Sequence, residues 1–254
     1  MDKLIEEGVV FDAIIADLPY NTTMAKWDII IPLSDLWERY KKLIKKDGVI
    51  ILFGSQPFTS KLIMSNFKWF KEELIWKKHK ASNFAQAKNR HLKYHENIIV
   101  FSNGKYTYNR QMQPRTDKRV ESGIKNNNTT YNTNSKENTN EICLKSNLGK
   151  RSYSVYDAKF KNPMSVLEFP MVAGNSKEKL PHPCQKPLLL MDYLVKTYTN
   201  EGDLILDNTM GVGSTIVSAL NNNRKAIGIE LDTNYFNIAK ERMENAVNEN
   251  KINI

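Results

Sequence analysis

The sequence has little cysteine and no long run of apolar residues. Its 254 residues include two cysteines, Cys143 and Cys184, and these are too few for a disulfide framework or a cysteine-based zinc site. No apolar stretch approaches the roughly 20 residues that a membrane helix needs. The first residues are charged and do not follow the pattern of a signal peptide. These absences predict a cytoplasmic protein with neither a metal centre nor a membrane anchor.

Positive charge, by contrast, is in excess. Lys and Arg number 37 against 28 Asp and Glu, which gives a formal net charge of +9. The excess lies in residues 77–119, which contain 11 Lys or Arg and only two acids, Glu96 and Asp117. Aromatic and amide side chains interleave with these cations, a mixture typical of nucleic-acid binding. Arg90 and Lys93 therefore become candidate nucleic-acid contacts, with a solvated lysine-rich loop as the plainer alternative.

Apolar runs and helical periods alternate along most of the chain. The runs predict strands at residues 11–16, 49–53, 71–76, 97–101, 203–207 and 225–230, and regular structure at 165–169. The periods predict helices at residues 33–46, 57–66, 186–199, 214–221 and 233–246. This alternation predicts an α/β fold, with a mostly parallel sheet covered by helices on both faces. Residues 121–150 are rich in Asn, Ser and Thr, and we expect a loop there.

A glycine turn joins the strand at 203–207 to the helix that begins at Ser214. Gly211 and Gly213 let the backbone approach a ligand closely, and the first N–H groups of the helix favour an anionic group. Glu230 follows Gly211 by 19 residues, near the place of the ribose-binding acid in dinucleotide-binding folds. The pattern favours a nucleotide-like cofactor over an ordinary tight turn. The absence of a third glycine argues against a pyrophosphate.

A second candidate site is the tetrapeptide Asp17-Leu18-Pro19-Tyr20, which directly follows the strand at 11–16. It is expected at the carboxyl edge of the sheet, where α/β proteins bind ligands. An acid, a backbone carbonyl and an aromatic ring can together hold a planar base that carries an amino group. Taken alone, the tetrapeptide is also explained by a proline turn with a surface aspartate.

Together these segments resemble the DNA amino-methyltransferases, which use S-adenosylmethionine (SAM) to methylate adenine or cytosine on the exocyclic amine. Residues 17–20 resemble the catalytic Asp-Pro-Pro-Tyr of that family, and residues 207–215 resemble its cofactor loop, Asp-Pro-Phe-x-Gly-Ser-Gly-Thr-Thr. Residues 182–187, His-Pro-Cys-Gln-Lys-Pro, resemble its His-Pro-Thr-Gln-Lys-Pro. The motif order is that of the circularly permuted β group. The resemblance implies a Rossmann-like methyltransferase fold with an inserted target-recognition region.

The resemblance implies a role for each matching position. The catalytic positions are Asp17, Leu18, Pro19 and Tyr20. The cofactor-binding positions are Asp207, Asn208, Thr209, Gly211, Gly213, Ser214, Thr215, Glu230, His182, Gln185, Lys186 and Pro187. Residues 1–76 would form the catalytic half of the domain and residues 162–254 the SAM-binding half. Residues 77–161 would recognise the DNA target and would include an Asn-rich loop at 121–150.

The implied reaction is methylation of a base flipped out of double-stranded DNA. Asp17 and the Leu18 carbonyl would bind the amine, Tyr20 would stack on the base, and the nitrogen would attack the SAM methyl directly. Enzymes that methylate cytosine at N4 most often have Ser at the first catalytic position, so Asp17 favours adenine, with cytosine-N4 as the alternative. A homodimer and a cognate restriction enzyme are the further partners that the resemblance suggests.

Two other interpretations concern Cys184 and the amino terminus. Cys184 follows a proline, as does the nucleophile of enzymes that methylate a ring carbon of cytosine, but we interpret it as a packed thiol. Members of the β group usually begin with a short strand ending in an acid, whereas residues 1–8 here already form the following helix. This difference predicts weakened SAM binding in a truncated chain. An inactive DNA-binding remnant is therefore the alternative from another class.

Overall fold

The computed structural model describes residues 1–21, 28–115, 141–144, 154–157, 159–174 and 176–252. The chain divides into two compact units. One comprises Met1–Asn109 with Ser165–Ile254, and the other comprises Arg110–Met164. Of the region predicted to recognise the target, residues 77–109 belong to the first unit, and its role stays a prediction. Most of the Asn-rich segment 121–150 lies outside the described residues.

The observed elements follow the predicted alternation of strands and helices. The strands are β1 (Phe11–Ala16), β2 (Ile44–Gly54), β3 (Phe70–Ser82), β4 (Lys93–Phe101), β5 (Gln113–Pro114), β6 (Glu141–Leu144), β7 (Ser154–Asp157), β8 (Phe160–Lys161), β9 (Val166–Glu168), β10 (Leu204–Asp207) and β11 (Lys225–Gly228). The helices are α1 (Asp2–Glu6), α2 (Leu33–Leu43), α3 (Phe58–Ser65), α4 (Leu188–Tyr198), α5 (Ser214–Asn221) and α6 (Thr233–Ile252). Two short 3-10 turns lie at Phe67–Trp69 and Phe84–Gln86.

The first unit is organised around a seven-stranded sheet in the order β11-β10-β1-β2-β4-β3-β9. The pairs β11–β10, β10–β1, β1–β2 and β3–β9 are parallel, and β4 runs antiparallel to both of its neighbours. The mostly parallel sheet that the sequence predicts is therefore confirmed. Because only β4 is reversed, β11, β10, β1, β2 and β3 all end at the same edge of the sheet. In the second unit, β5 pairs with β8 and β6 with β7.

Helices cover both faces of the sheet, as the continuous apolar runs in its strands require. Successive residues of a strand point to opposite faces, and Ile14 and Ile15 accordingly lie in different apolar clusters. One cluster also contains side chains of α4 and α5, such as Leu194 and Ala219. The other contains side chains of α2 and α3, including Trp37. The central strands are thus held between two apolar layers.

The helix predicted at residues 33–46 ends earlier, at Leu43, and β2 begins at the next residue. Ile44 pairs with Phe11 of β1, and Lys45 places its ammonium 2.6 Å from an Asp12 carboxylate oxygen. These partners, Phe11 and Asp12, are more than 30 residues away in sequence. The helical period of residues 33–46 therefore could not indicate that the helix ends and a strand begins at Ile44. None of the helices in the described ranges has the length and apolar character that crossing a bilayer requires.

Candidate active site

Three acidic residues lie at the shared carboxyl edge of neighbouring parallel strands. Asp17 directly follows β1, Asp207 is the last residue of β10, and Glu230 comes shortly after the end of β11. This edge is where open α/β sheets bind their ligands. The hydroxyl of Thr209 donates a hydrogen bond of 3.1 Å to the carbonyl oxygen of Asp17. The structure therefore brings the predicted catalytic turn and the predicted cofactor loop into direct contact.

Both oxygens of the Asp17 carboxylate have a partner. The Tyr20 hydroxyl donates to Oδ1 at 2.6 Å, and the Lys186 ammonium binds Oδ2. Burial raises the pKa of the Asp17 carboxyl, and Lys186 opposes that rise. Burial, and then the charge of Asp17, raise the pKa of Tyr20 well above its ordinary value, so the phenol keeps its proton. Between these two residues lie Leu18, which is buried, and Pro19.

The Tyr20 ring has a fixed orientation. Its centroid lies 5.4 Å from that of Phe58 on α3, and the two rings are tilted by 30°. Together with the hydroxyl bond to Asp17, this contact holds the ring beside the carboxylate. Sequence reasoning missed Phe58 because its contact with Tyr20 depends on where α3 packs.

A chain of alternating buried charges extends from Asp17. Lys186 Nζ lies 3.4 Å from Glu96 Oε2, and Glu96 Oε1 binds the ammonium of Lys78. The side chains of Lys186, Glu96 and Lys78 are only 9%, 14% and 10% exposed. Burial acts to raise the pKa of Glu96, but the two lysines lower it to about 2. Burial acts to lower the pKa of Lys186, but Asp17 and Glu96 raise it.

Glu96 and Lys78 are site residues that sequence reasoning did not identify. The available signal was the position of Glu96 as one of two acids within the basic window 77–119. Its partners could not be read from that signal, because they come from β3 and from the segment before α4. Lys186, predicted among the cofactor-binding residues, lies against the catalytic turn, and its contact with the cofactor stays a prediction.

The glycine loop between β10 and α5 has backbone conformations that favour glycine. Gly211 has φ +52° and Gly213 has φ +79°. A Cβ at Gly211 would lie 3.1 Å from His182 Nε2, and a Cβ at Gly213 would lie 3.0 Å from the Cβ of Ala239. Both positions are therefore restricted by conformation and by space. Ser214 and Thr215, at the start of α5, are buried behind the loop.

Glu230 connects the glycine loop to the segment after β11 through hydrogen bonds. Its Oε2 accepts a hydrogen bond of 2.8 Å from the N–H of Gly211. Its Oε1 accepts bonds of 2.9 Å from the N–H groups of Leu231 and Asp232. A carboxylate has about four acceptor positions, so Glu230 can accept a further bond from a ligand. The side chain of Leu231 is 95% exposed beside it.

Asp207 and Asn208 support the loop from within the protein. Asp207 Oδ1 accepts a hydrogen bond of 3.0 Å from the N–H of Thr209, and burial raises the pKa of Asp207 to about 7. Asn208 Oδ1 accepts a bond of 2.6 Å from the buried hydroxyl of Tyr40. That bond connects α2 to the loop, although the two residues are 168 positions apart in the sequence.

Replacing Tyr40 with Phe is expected to lower the free energy of unfolding by about 1–2 kcal/mol, because it removes a buried hydrogen bond. Urea unfolding of the purified variant measures the change. Tyr94→Phe is the matched control, because its exposed hydroxyl donates a longer bond of 3.3 Å to a backbone oxygen. Equal stabilities of the two variants would mean that the Tyr40 bond does not support the loop.

The segment before α4 places His182 against the glycine loop. The His182 ring lies edge-on to that of Tyr235, with centroids 4.6 Å apart. Its Nδ1 accepts a hydrogen bond of 3.3 Å from the N–H of Cys184. Burial lowers the pKa of His182 to about 4, so the ring is neutral near pH 7 and its Nε2 carries the proton.

Gln185 uses its amide to shape the same segment. Its Oε1 accepts a hydrogen bond of 2.9 Å from the N–H of Leu180, and its Nε2 donates one of 2.7 Å to the carbonyl of Glu178. Pro187 is buried and precedes the first turn of α4. These contacts hold the segment in place, and the predicted contacts of Gln185 and Pro187 with a cofactor stay predictions.

The basic window does not form one uniform surface. Lys78 is buried in the charge chain, and Lys77 pairs with Glu168 at 2.7 Å. Arg90 is exposed in the connection between β3 and β4, and Lys93 is half-buried at the start of β4. Because β3 ends at the same edge as β1, this connection leaves the sheet on the side of Asp17.

Cys184 is half-buried, and burial raises the pKa of its thiol. A nucleophilic cysteine needs the thiolate form, so this setting supports the interpretation of a packed thiol. Within the described ranges, no three His, Cys, Asp or Glu side chains converge as metal ligands would.

Comparison with protein families and curated proteins agrees with this arrangement. The N6/N4 methyltransferase family model, described as DNA methylase, matches residues 11–241. The type II methyltransferase M.HpaI of Haemophilus parainfluenzae is 37% identical over 95 residues, which are 37% of this chain and 30% of that protein. The DNA adenine methyltransferase YhdJ of Escherichia coli (strain K12) is 34% identical over 84 residues, which are 33% of this chain and 29% of that protein. The aligned segments thus span less than a third of either relative.

Comparison with solved structures shows the same fold over nearly the whole chain. A crystal structure of an M1.HpyAVI–SAM complex superposes with a TM-score of 0.61 at 22% identity, covering 95% of this chain and 93% of that one. The PvuII DNA methyltransferase, named cytosine-N4-specific, superposes with a TM-score of 0.58 at 13% identity, covering 96% and 88%. At these identities the likeness concerns the fold alone.

Proposed function

The chain belongs to the N6/N4 methyltransferase family of DNA methylases, and from this premise we propose that it transfers a methyl group from SAM to the N6 amine of adenine in double-stranded DNA. One observation carries the proposal. The Asp17 turn and the glycine loop meet at one sheet edge, where Thr209 donates to the Asp17 carbonyl. A base held by the first segment would then lie next to a methyl donor held by the second.

In this proposal the residues of the catalytic turn bind and orient the flipped base. The Asp17 carboxylate accepts a hydrogen bond from the exocyclic amine, and the carbonyl of Leu18 accepts another. Tyr20, held by Phe58 at 5.4 Å between ring centroids, offers its ring to the base. The two acceptors draw the nitrogen lone pair out of conjugation with the ring. Fixed orientation supplies much of the rate enhancement in such a transfer.

The glycine loop and its neighbours fit SAM. Gly211 leaves room that a Cβ only 3.1 Å from His182 Nε2 would fill, and Glu230 can accept a bond from a ribose hydroxyl. The neutral His182 and the residues after it border the loop, where the resemblance expects the methionine end. When bound, SAM supplies a methyl group on a sulfonium, which is a good leaving group.

Adenine is preferred to cytosine as the target for two reasons. The first catalytic position is Asp17 and not the Ser that most cytosine-N4 enzymes have. In addition, one relative carries the printed name DNA adenine methyltransferase. The type II names of other relatives support a cognate restriction enzyme as a partner. The homodimer and the cytoplasmic location expected from the sequence stay predictions.

Expression of the chain in a bacterial host without DNA methyltransferases tests whether it acts at a specific site. Single-molecule sequencing of the host genome is expected to find modified adenines in one recurring sequence. Asp17→Asn, expressed to the same level, is the control and is expected to leave most copies of that sequence unmodified. Modification of cytosine would reverse the choice of base, and an unmodified genome would favour the inactive remnant.

A further inference from the structure

Within the proposed function, the contact of the buried Lys186 with the Asp17 carboxylate has no role so far. Lys186 Nζ binds Asp17 Oδ2, and Tyr20 takes Oδ1 at 2.6 Å. An amine from the target base therefore meets a carboxylate whose oxygens both have a donor. A base that binds Asp17 must share an oxygen with Tyr20 or with Lys186, or displace one of them.

Lys186 has a second acceptor within reach. Glu96 Oε2 lies 3.4 Å from Lys186 Nζ, and this oxygen is buried without a hydrogen bond from the described residues. Glu96 itself is held through Oε1 by Lys78. The ammonium also lies over the Phe53 ring, 4.8 Å from its centroid. A small movement would let Lys186 bond to Glu96 without leaving its buried site.

We propose that Lys186 is a positioning residue for Asp17, which keeps the carboxylate ionised and oriented and turns to Glu96 when the amine of the base arrives. Glu96 acts through Lys186 as its alternative acceptor, and Lys78 holds Glu96 in place. Asp17, Lys186, Glu96 and Lys78 alternate in sign, so the Asp17 carboxylate, whose side chain is 22% exposed, is kept charged without a net charge in the cluster. This inference rests on the proposed function.

The charges around Asp17 come from several elements. Lys186 and Cys184 come from the segment before α4, Glu96 from β4, Asp207 from β10 and Tyr20 from its own turn. Lys186 is the cation among these groups, and it binds Asp17 directly. Its removal leaves Asp17 facing Glu96 and Asp207, and the carboxyl then protonates at higher pH. The acid limb of the methyl-transfer rate should move accordingly.

The test is the pH dependence of single-turnover methyl transfer from SAM to unmethylated bacterial DNA. For Lys186→Met the acid limb is expected to move by about 1–3 pH units to higher pH, the usual effect of an opposite charge on a carboxyl. Lys186→Arg keeps the charge and is expected to leave the limb close to that of the wild type. Adding Glu96→Gln to Lys186→Met should move the limb back, because the repelling carboxylate is gone.

Glu96→Gln alone tests the second acceptor. Lys186 then stays on Asp17 and competes with the amine, so the single-turnover rate is expected to fall about 10-fold, the value of one hydrogen bond to a charged group. The acid limb should not move to higher pH. If Lys186→Met does not fold, Glu96→Gln still tests the proposal, because an unchanged single-turnover rate in Glu96→Gln would overturn it.

Lys42→Met is the matched control, since Lys42 pairs with the exposed Glu38 of its own helix, α2, and lies outside the basic window 77–119. It is expected to keep both the rate and the pH profile. Thermal unfolding checks that each variant is folded. An acid limb that stays in place in a folded Lys186→Met variant contradicts the inference, whereas a wild-type chain that transfers no methyl group contradicts the proposed function instead.

Discussion

Asp17→Asn is expected to lower the rate of methyl transfer by about 100- to 1,000-fold, the effect of removing one positioned hydrogen-bonding group from a catalytic site. Asn has nearly the shape of Asp but carries no charge, and an NH₂ group with two N–H donors replaces one of the acceptor oxygens. Tyr20 and Lys186 lose the carboxylate that each of them binds. The amine of the base then has a weaker acceptor, in a different orientation. The rate of labelled methyl transfer into DNA measures the loss.

Two controls separate this chemical effect from unfolding. Asp35→Asn removes an exposed carboxylate on α2 whose neighbour Ser34 donates to it at 3.1 Å, and it should keep full activity. Lys186 retains Glu96 as a partner in Asp17→Asn, so the site should keep its structure. Equilibrium SAM binding by this variant should therefore match that of the wild type. Full activity in folded Asp17→Asn would exclude Asp17 as the acceptor for the amine.

Gly211→Ala is expected to weaken SAM binding by about 10- to 100-fold, as follows from a strain of roughly 1–3 kcal/mol in an unfavourable backbone region. The residue has φ +52°, a conformation that a Cβ disfavours. The added methyl group would also lie 3.1 Å from His182 Nε2, so either the loop or the His-Pro segment must move. Isothermal titration of the variant with SAM measures the affinity.

Gly174→Ala is the control for this substitution, because no atom lies within 4 Å of the position of its Cβ. It should bind SAM as the wild type does. Thermal unfolding of both variants shows how much of the strain appears as lost stability. If Gly211→Ala bound SAM as tightly as Gly174→Ala, the glycine loop would not be the SAM site.

The central sheet could be predicted from the sequence because its strands are short, continuous apolar runs. The runs at 11–16 and 203–207 correspond closely to β1 and β10, and their ends place Asp17 and Asp207 at the same edge. Parallel strands buried on both faces carry this signal locally. The motifs predicted that the two segments belong to one active site, because their order matches that of a family in which both segments serve one reaction.

The charge chain could not be predicted, because it depends on pairing between distant strands. Glu96 reaches Lys78 only because β4 runs antiparallel to β3, with Glu96 opposite Trp76. Lys186 arrives from a segment about 90 residues further along the chain. From composition, Lys78 and Glu96 were predicted to belong to a basic surface. In the structure they form a buried ion pair with no net charge. The motif likewise placed Lys186 with the cofactor and gave no sign of its contact with Asp17.

The most direct test of the central claim is the identity of the methylated nucleoside. The purified chain is incubated with unmethylated DNA and SAM that carries a labelled methyl group, and the DNA is then digested to nucleosides. Label in N6-methyladenine is the result that we predict, because Asp17 and the glycine loop meet where an adenine amine and a methyl donor would. Label in N4-methylcytosine, or no label from a chain that binds SAM, would contradict it.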